Sequence, residues 1–148
     1  MAGFLLVAAS SAMSGNEPTG PSALQPVLTY VSSSRAELLT SVEQGKIDGR
    51  RVRLIPISGG SVYGPRLRGL VLSGGGGWQT ISADGLTDVN ARYALKASDG
   101  TVIDIENAGV RAAPKEIIDR LSRGEYVDPS LYYFRTSPRF MVSAGQHE

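Results

Sequence analysis

Two strand-like stretches carry the residues best suited to chemistry. In Thr87–Lys96 the side chains alternate, with Val89, Ala91, Tyr93 and Leu95 on one face and Asp88, Asn90, Arg92, Ala94 and Lys96 on the other. Asn90 and Arg92 stand one strand repeat apart, and an amide beside a guanidinium can anchor an oxygen-rich ligand. Leu131–Ser137 puts Tyr133 and Arg135 together in the same way, an aromatic wall next to a cation. Arg111, after Asn107-Ala-Gly-Val110, is expected near a loop mouth, where it could join them. If these side chains face a hollow, Tyr133 is the candidate proton donor, and Arg92 and Arg135 are the candidates to stabilise an oxyanion. Trp78, Gln79, Asn90 and Arg111 are then the candidates for substrate contact. The competing account is structural. The arginines could neutralise Asp88, Asp104, Glu106 or Asp128, the tyrosines could fill a barrel, and Trp78 suits core or rim packing.

Composition narrows the chemistry further. The chain has no cysteine, which excludes thiol nucleophiles, disulfides and Cys-ligated metals. Its one histidine, His147, lies near the end, so neither a His-rich metal site nor a Ser-His-Asp triad is expected. No metal and no cofactor is therefore expected. A formal charge of +1 gives no general attraction to nucleic acid or anionic lipid. No stretch approaches the roughly 20 apolar residues of a membrane-spanning helix. The run Gly74–Gly77 lacks the Gly-Lys-Ser/Thr of a phosphate loop and precedes a strand, so it is read as a hairpin loop. Of the 15 basic residues only Lys46, Lys96 and Lys115 are lysines. Arginine's rigid fork suits fixed ion pairs or anion recognition, although a GC-rich genome gives the same bias.

These residues need a scaffold, and the turn signals supply one. Glycine makes up 18 of 148 residues and marks apparent strand ends. Strands are expected at Val27–Ser33, Arg51–Ile57, Leu67–Leu72, Trp78–Ile81, Thr87–Lys96, Thr101–Asn107 and Leu131–Ser137, the last ending before Pro138. Arg35–Val42 fits either strand or helix. Turns are expected at Asp48-Gly49, Ser58-Gly59-Gly60, Gly64-Pro65, Ala83-Asp84-Gly85 and Asp99-Gly100. On Arg51–Ile57, Arg51, Arg53, Ile55 and Ile57 share a face, and Gly69 allows close backbone approach or a bulge. One helix is expected over Pro114–Arg123, with Ile117, Ile118 and Leu121 as its apolar stripe. Some eight strands with one short helix imply an all-β antiparallel barrel that the helix caps or plugs.

The ordered blocks Ile55-Pro-Ile-Ser-Gly-Gly60, Gly64-Pro-Arg-Leu-Arg-Gly69, Gly74-Gly-Gly-Gly-Trp-Gln79, Asn90-Ala-Arg-Tyr93 and Tyr132-Tyr-Phe-Arg-Thr-Ser-Pro-Arg-Phe140 resemble the family called domain of unknown function 3237. The resemblance runs over about residues 26–142. It implies a calycin-like or allene-oxide-cyclase-like β-barrel that self-associates as a homo-oligomer and binds a small molecule. A few fungal relatives resemble cofactor-free cyclases, so the implied activity is cyclisation or isomerisation, and a pocket with Arg92, Arg135 and Tyr133 would favour a phenolic or carboxylated substrate. The implied alternative is a non-catalytic ligand-binding or structural barrel. Gly77, Asn90 and Met141 stand where the family usually carries carboxylates, which implies weakened or altered activity. The resemblance also implies further strands beyond Glu148, so a truncated record is expected. Residues 1–23 are expected to be a disordered extension or weak signal peptide, and 24–148 one barrel domain. The expected location is cytoplasmic, or secreted or periplasmic if residues 1–14 act as a signal.

Overall fold

The computed structural model describes residues 27–144. The expected N-terminal extension or signal and His147 lie outside the described residues. Eight antiparallel strands form one sheet: β1 (Ser33–Leu38), β2 (Val42–Ile47), β3 (Arg50–Tyr63), β4 (Gly69–Val71), β5 (Gly76–Ile81), β6 (Thr87–Ala97), β7 (Val102–Ala112) and β8 (Tyr133–Met141). Strand β3 is long enough to pair with β1 and β2 along one side and with β4 and β5 along the other. Both β4 and β5 then pair with β6, and the sheet continues through β7 to β8. The fold is all-β with one helix, α1 (Lys115–Ser122). Ile117 and Ile118 of α1 are buried, and Gly124, at φ 77°, ends it with its N–H donated to the Leu121 carbonyl.

Several boundaries differ from the sequence expectation. Val27 and Leu28 are almost fully exposed and not in a strand; β1 starts only at Ser33 and resolves the Arg35–Val42 ambiguity towards strand. Ser58-Gly59-Gly60 does not reverse the chain but sits inside β3. Gly59 and Gly60 have φ of 155° and 143°, and the β1 register shifts opposite them between Glu37 and Leu38, so the glycines bend a strand instead of ending it. Strand β7 runs to Ala112 instead of stopping at Asn107, which puts Arg111 on a strand and not at a loop mouth. Leu131 belongs to a single 3-10 turn at Pro129–Leu131, and β8 continues through Pro138 to Met141. A proline is tolerated there because β8 is an edge strand among the described residues. The hairpin turns at Asp48-Gly49, Ala83-Asp84-Gly85 and Asp99-Gly100 are where the sequence put them.

Gly60 is the tightest point of the bend. A Cβ there would lie 2.1 Å from the Arg35 carbonyl oxygen, and the backbone conformation is one that side-chain-bearing residues avoid. Gly60→Ala is therefore expected to cost about 3 kcal/mol or more, combining backbone strain with a clash between β1 and β3. Urea unfolding checks this; a loss under about 1 kcal/mol would show that the strand pair absorbs the methyl group.

The inner face of the sheet has two halves. One end is an apolar core of Ile57, Val62, Val71, Leu95, Ala97, Ile103 and Ile105, against which Tyr93 packs. Burying side chains of this size is worth about 1.5–3 kcal/mol each, so this half secures the fold. The other end, beside α1, buries the polar side chains of Arg53, Gln79, Thr87 and Arg111 among Ile81 and Val89.

Candidate functional site

The strand registers align inner-facing residues in rows. One row reads Arg53, Gln79, Val89, Gly109 and Thr136 across β3, β5, β6, β7 and β8. On its helix side lies the row Arg51, Ile81, Thr87, Arg111 and Phe134. On its core side lies Ile55, Gly77, Ala91, Asn107 and Pro138. Successive rows are about 7 Å apart, two residues along a strand.

Arg53, Gln79 and Arg111 are 3%, 8% and 8% exposed, and their polar ends meet. Arg53 donates to Gln79 Oε1 from Nε at 3.0 Å and from Nη2 at 2.7 Å. Arg111 Nη2 donates to the same oxygen at 3.5 Å. Two buried guanidiniums thus converge on one neutral amide, and among the described residues neither forms an ion pair. Burial lowers the pKa of both, and the second cause for Arg111 is the charge on Arg53. For Arg53 the second cause is Arg51, whose own carboxylate partner is Glu43. Arginine remains charged at any working pH, so the cluster is a site of positive charge whose nearest carboxylate influence, Glu43 on Arg53, comes from a group already paired with Arg51. Isolated charge in an interior is costly unless something neutralises it.

Unpartnered polar atoms surround the cluster. Arg111 Nε, Asn107 Oδ1 and Ser122 Oγ are buried without a hydrogen-bond partner among the described residues. Ser122, on the last turn of α1, shares with Arg53 a groove also lined by Leu39, Ser41, Leu121 and Gly124. Arg53 is the member of the cluster that reaches this groove. In the Asn107 row, Gly77 and Ala91 are half-buried, and a Cβ placed on Gly77 would meet only the Ala91 methyl at 3.7 Å. The sheet floor there is low and open. Tyr93, one row further on, has its pKa raised by burial, partly offset by a hydrogen bond with Asn107. Its hydroxyl is protonated at neutral pH.

The sequence candidates divide between the two faces. Gln79 and Arg111 belong to the interior cluster. Arg92, Arg135, Tyr133, Asn90 and Trp78 do not: all are exposed, which corrects the inward orientation expected of the first four. The cause is the period of two, because Tyr93 and Leu95 take the core side of β6 and turn Asn90 and Arg92 outward. Arg92 Nη2 donates to Asp104 Oδ2 at 2.8 Å, the structural pairing raised as the alternative. Arg135 lies 5.4 Å from the centre of the Tyr133 ring on the outer wall. Trp78, Asn90 and Arg92 line an exterior cleft with Glu106, Ser137 and Arg139. Arg53 was missed as a site residue, although its place on one face with Ile55 and Ile57 marks an arginine on an apolar, inward face. No group of three potential metal-ligating side chains exists among the described residues, and no helix there is long and apolar enough to cross a membrane.

A family model described as protein of unknown function (DUF3237) matches residues 23–148. A UPF0311 protein of Rhodopseudomonas palustris strain TIE-1 is 42% identical over 111 residues, 75% of this chain and 72% of that protein. A UPF0311 protein of Clostridium acetobutylicum is 48% identical over 107 residues, 72% of this chain and 67% of that protein. The crystal structure of a conserved protein of unknown function from Rhodopseudomonas palustris superposes with a TM-score of 0.76 at 39% identity, covering 82% of this chain and 81% of that one. A β-barrel-like protein from Acinetobacter baumannii superposes with a TM-score of 0.61 at 28% identity, covering 82% and 83%.

Proposed function

Because the chain belongs to the DUF3237 family of unknown function, and so inherits no activity, we propose from its interior that it binds a small organic anion. The supporting observation is the convergence of Arg53 and Arg111 on Gln79 Oε1 with no carboxylate paired to either among the described residues. A carboxylate or phenolate entering by the Arg53–Ser122 groove would supply the missing charge, replace the neutral amide as acceptor and engage Arg111 Nε. Binding an anion in a partly dehydrated pocket with preformed donors needs little reorganisation.

Benzoate and its neutral isostere benzamide separate this reading from simple apolar filling. Benzoate is expected to raise the melting temperature by several degrees at concentrations well above its dissociation constant, and benzamide to have no effect. Arg92→Ala is expected to leave the benzoate shift intact, since Arg92 is paired on the outer wall. Equal shifts from both compounds, or loss of the shift in Arg92→Ala, would contradict the interior site.

A second reading, cofactor-free cyclisation or isomerisation, is favoured by Tyr93. Its protonated hydroxyl on the same inner face could deliver a proton while the guanidiniums stabilise an oxyanion. Product analysis after incubation with any ligand that binds decides between the two. Return of unchanged ligand selects binding without turnover.

A further inference from the structure

The geometry points to a second, independent site: the cleft on the outer face of the sheet binds a neutral pyranoside, with Trp78 as its platform. It stands apart from the anion site, because Trp78 and Gln79 are successive residues of β5 and face opposite sides of the sheet. Two outward rows build the cleft. Trp78, Asn90, Ala108 and Ser137 lie directly opposite one another across β5, β6, β7 and β8. Arg92, Glu106 and Arg139 form the next row across β6, β7 and β8, about 7 Å along the strands. Ala108, with a single methyl group, lowers the floor between Asn90 and Ser137, and the 45% exposed indole of Trp78 stands at its side. The cleft measures about 520 Å³, within the ordinary range for a small-molecule site.

Charge gives this cleft no preference for an ion. Arg92 is paired with Asp104 at 2.8 Å, and Glu106 lies 3.9 Å from both Arg92 and Arg139. Two guanidiniums thus face two carboxylates, and the row is neutral as a unit. Its capacity for hydrogen bonds is largely unspent. A separation of 3.9 Å makes an ion pair but not a hydrogen bond, so both oxygens of Glu106 stay open as acceptors among the described residues. Asn90 and Ser137 make no side-chain hydrogen bond there, and each can both donate and accept. Pure donors, pure acceptors and groups that do both are matched together by a ligand rich in hydroxyls. Trp78 selects the frame that carries them. The axial C–H groups of a pyranose ring bear partial positive charge and pack on the negative face of an indole. A linear polyol has the same hydroxyls without a rigid apolar face. Stacking alone is shared by nucleobases, so a nucleoside is one arm of the test.

Trp78 is the chain's single tryptophan, so its fluorescence reports on this cleft directly. The full chain is titrated with the methyl pyranosides of glucose, galactose and mannose, with cellobiose and lactose, and with sorbitol and adenosine as controls. At least one pyranoside or disaccharide is expected to shift the Trp78 emission saturably, in the millimolar range or below, and sorbitol is expected to have no saturable effect. Asn90→Ala is expected to weaken that sugar about fivefold or more, as loss of a hydrogen bond at the rim requires. Ser137→Ala gives a second reading if the Asn90 variant folds poorly. Trp78→Ala, followed by calorimetry, is expected to abolish binding. No saturable response to any sugar, an equal response to sorbitol, or affinity unchanged in both alanine variants at Asn90 and Ser137 overturns the inference. So does a saturable response to adenosine alone, which would assign the cleft to nucleobases. None of these outcomes bears on the benzoate site.

Discussion

Gln79→Glu raises the stability of the ligand-free protein and abolishes benzoate binding. Gln79 Oε1 already accepts from both buried arginines, so the substitution changes charge while nearly preserving shape. The three hydrogen bonds, already charge-assisted by their guanidinium donors, gain an ionised acceptor as well. Burying the new carboxylate offsets much of that gain, but two cations without an ion-pair partner among the described residues are already present to receive it. The expected net gain is about 2 kcal/mol, or roughly 5 °C in melting temperature for a domain of this size. The pH dependence follows from the sign of the shift. Flanking guanidiniums hold the new carboxyl below its ordinary pKa of about 4.3. The gain is therefore fully present above about pH 5 and is lost as pH falls through the lowered value. Scanning calorimetry at pH 7 and pH 3 checks both statements. A destabilised variant at pH 7 would mean that the two charges are already balanced.

Arg111→Met moves stability and binding in opposite directions by a different route. It removes the buried unpartnered Nε and the repulsion between Arg111 and Arg53, yet leaves both Arg53–Gln79 hydrogen bonds in place. Replacing poorly compensated buried charge with an apolar side chain of similar volume is commonly neutral or stabilising by about 1–4 kcal/mol. We expect about 1–2 kcal/mol here, because the hydrogen bond from Arg111 to Gln79 is also lost. The same variant is expected to bind benzoate at least about 30-fold more weakly, in line with the roughly 2–5 kcal/mol that truncating one partner of a buried charge pair costs. Denaturant unfolding and calorimetric titration of the one variant measure both. An arginine present only for stability would show the reverse pattern, with unfolding easier and benzoate affinity unchanged.

The sequence reveals the fold more fully than the site, for a physical reason. Turn chemistry is local: Asp48-Gly49, with φ of 50° and 76°, and Asp99-Gly100 place their hairpins without help from the rest of the chain. Ser58-Gly59-Gly60 looks locally like the same signal. What makes it a bend instead is β1 crossing at Gly60, a contact between residues far apart in sequence. The inward face is likewise a global property. Alternation on β6 separates Asn90 and Arg92 from Tyr93 and Leu95 correctly, but it does not say which set faces the core. Tyr93 and Leu95, the larger apolar set, were the better guide than the chemistry of Arg92. On β3 the same guide points to Arg53, which shares its face with Ile55 and Ile57. Arg111 became a site residue through the extension of β7 beyond Asn107, which cross-strand pairing to β6 sustains and no local signal announces.

The central claim is that an anion belongs inside, between Arg53 and Arg111. Its most direct measurement is the crystal structure of the protein with 4-bromobenzoate, the bromine located by its anomalous scattering. The account requires the carboxylate within hydrogen-bonding distance of both guanidiniums. A carboxylate found instead in the exterior cleft at Arg92 and Arg139, with the Arg53–Gln79–Arg111 cluster undisturbed, would contradict it.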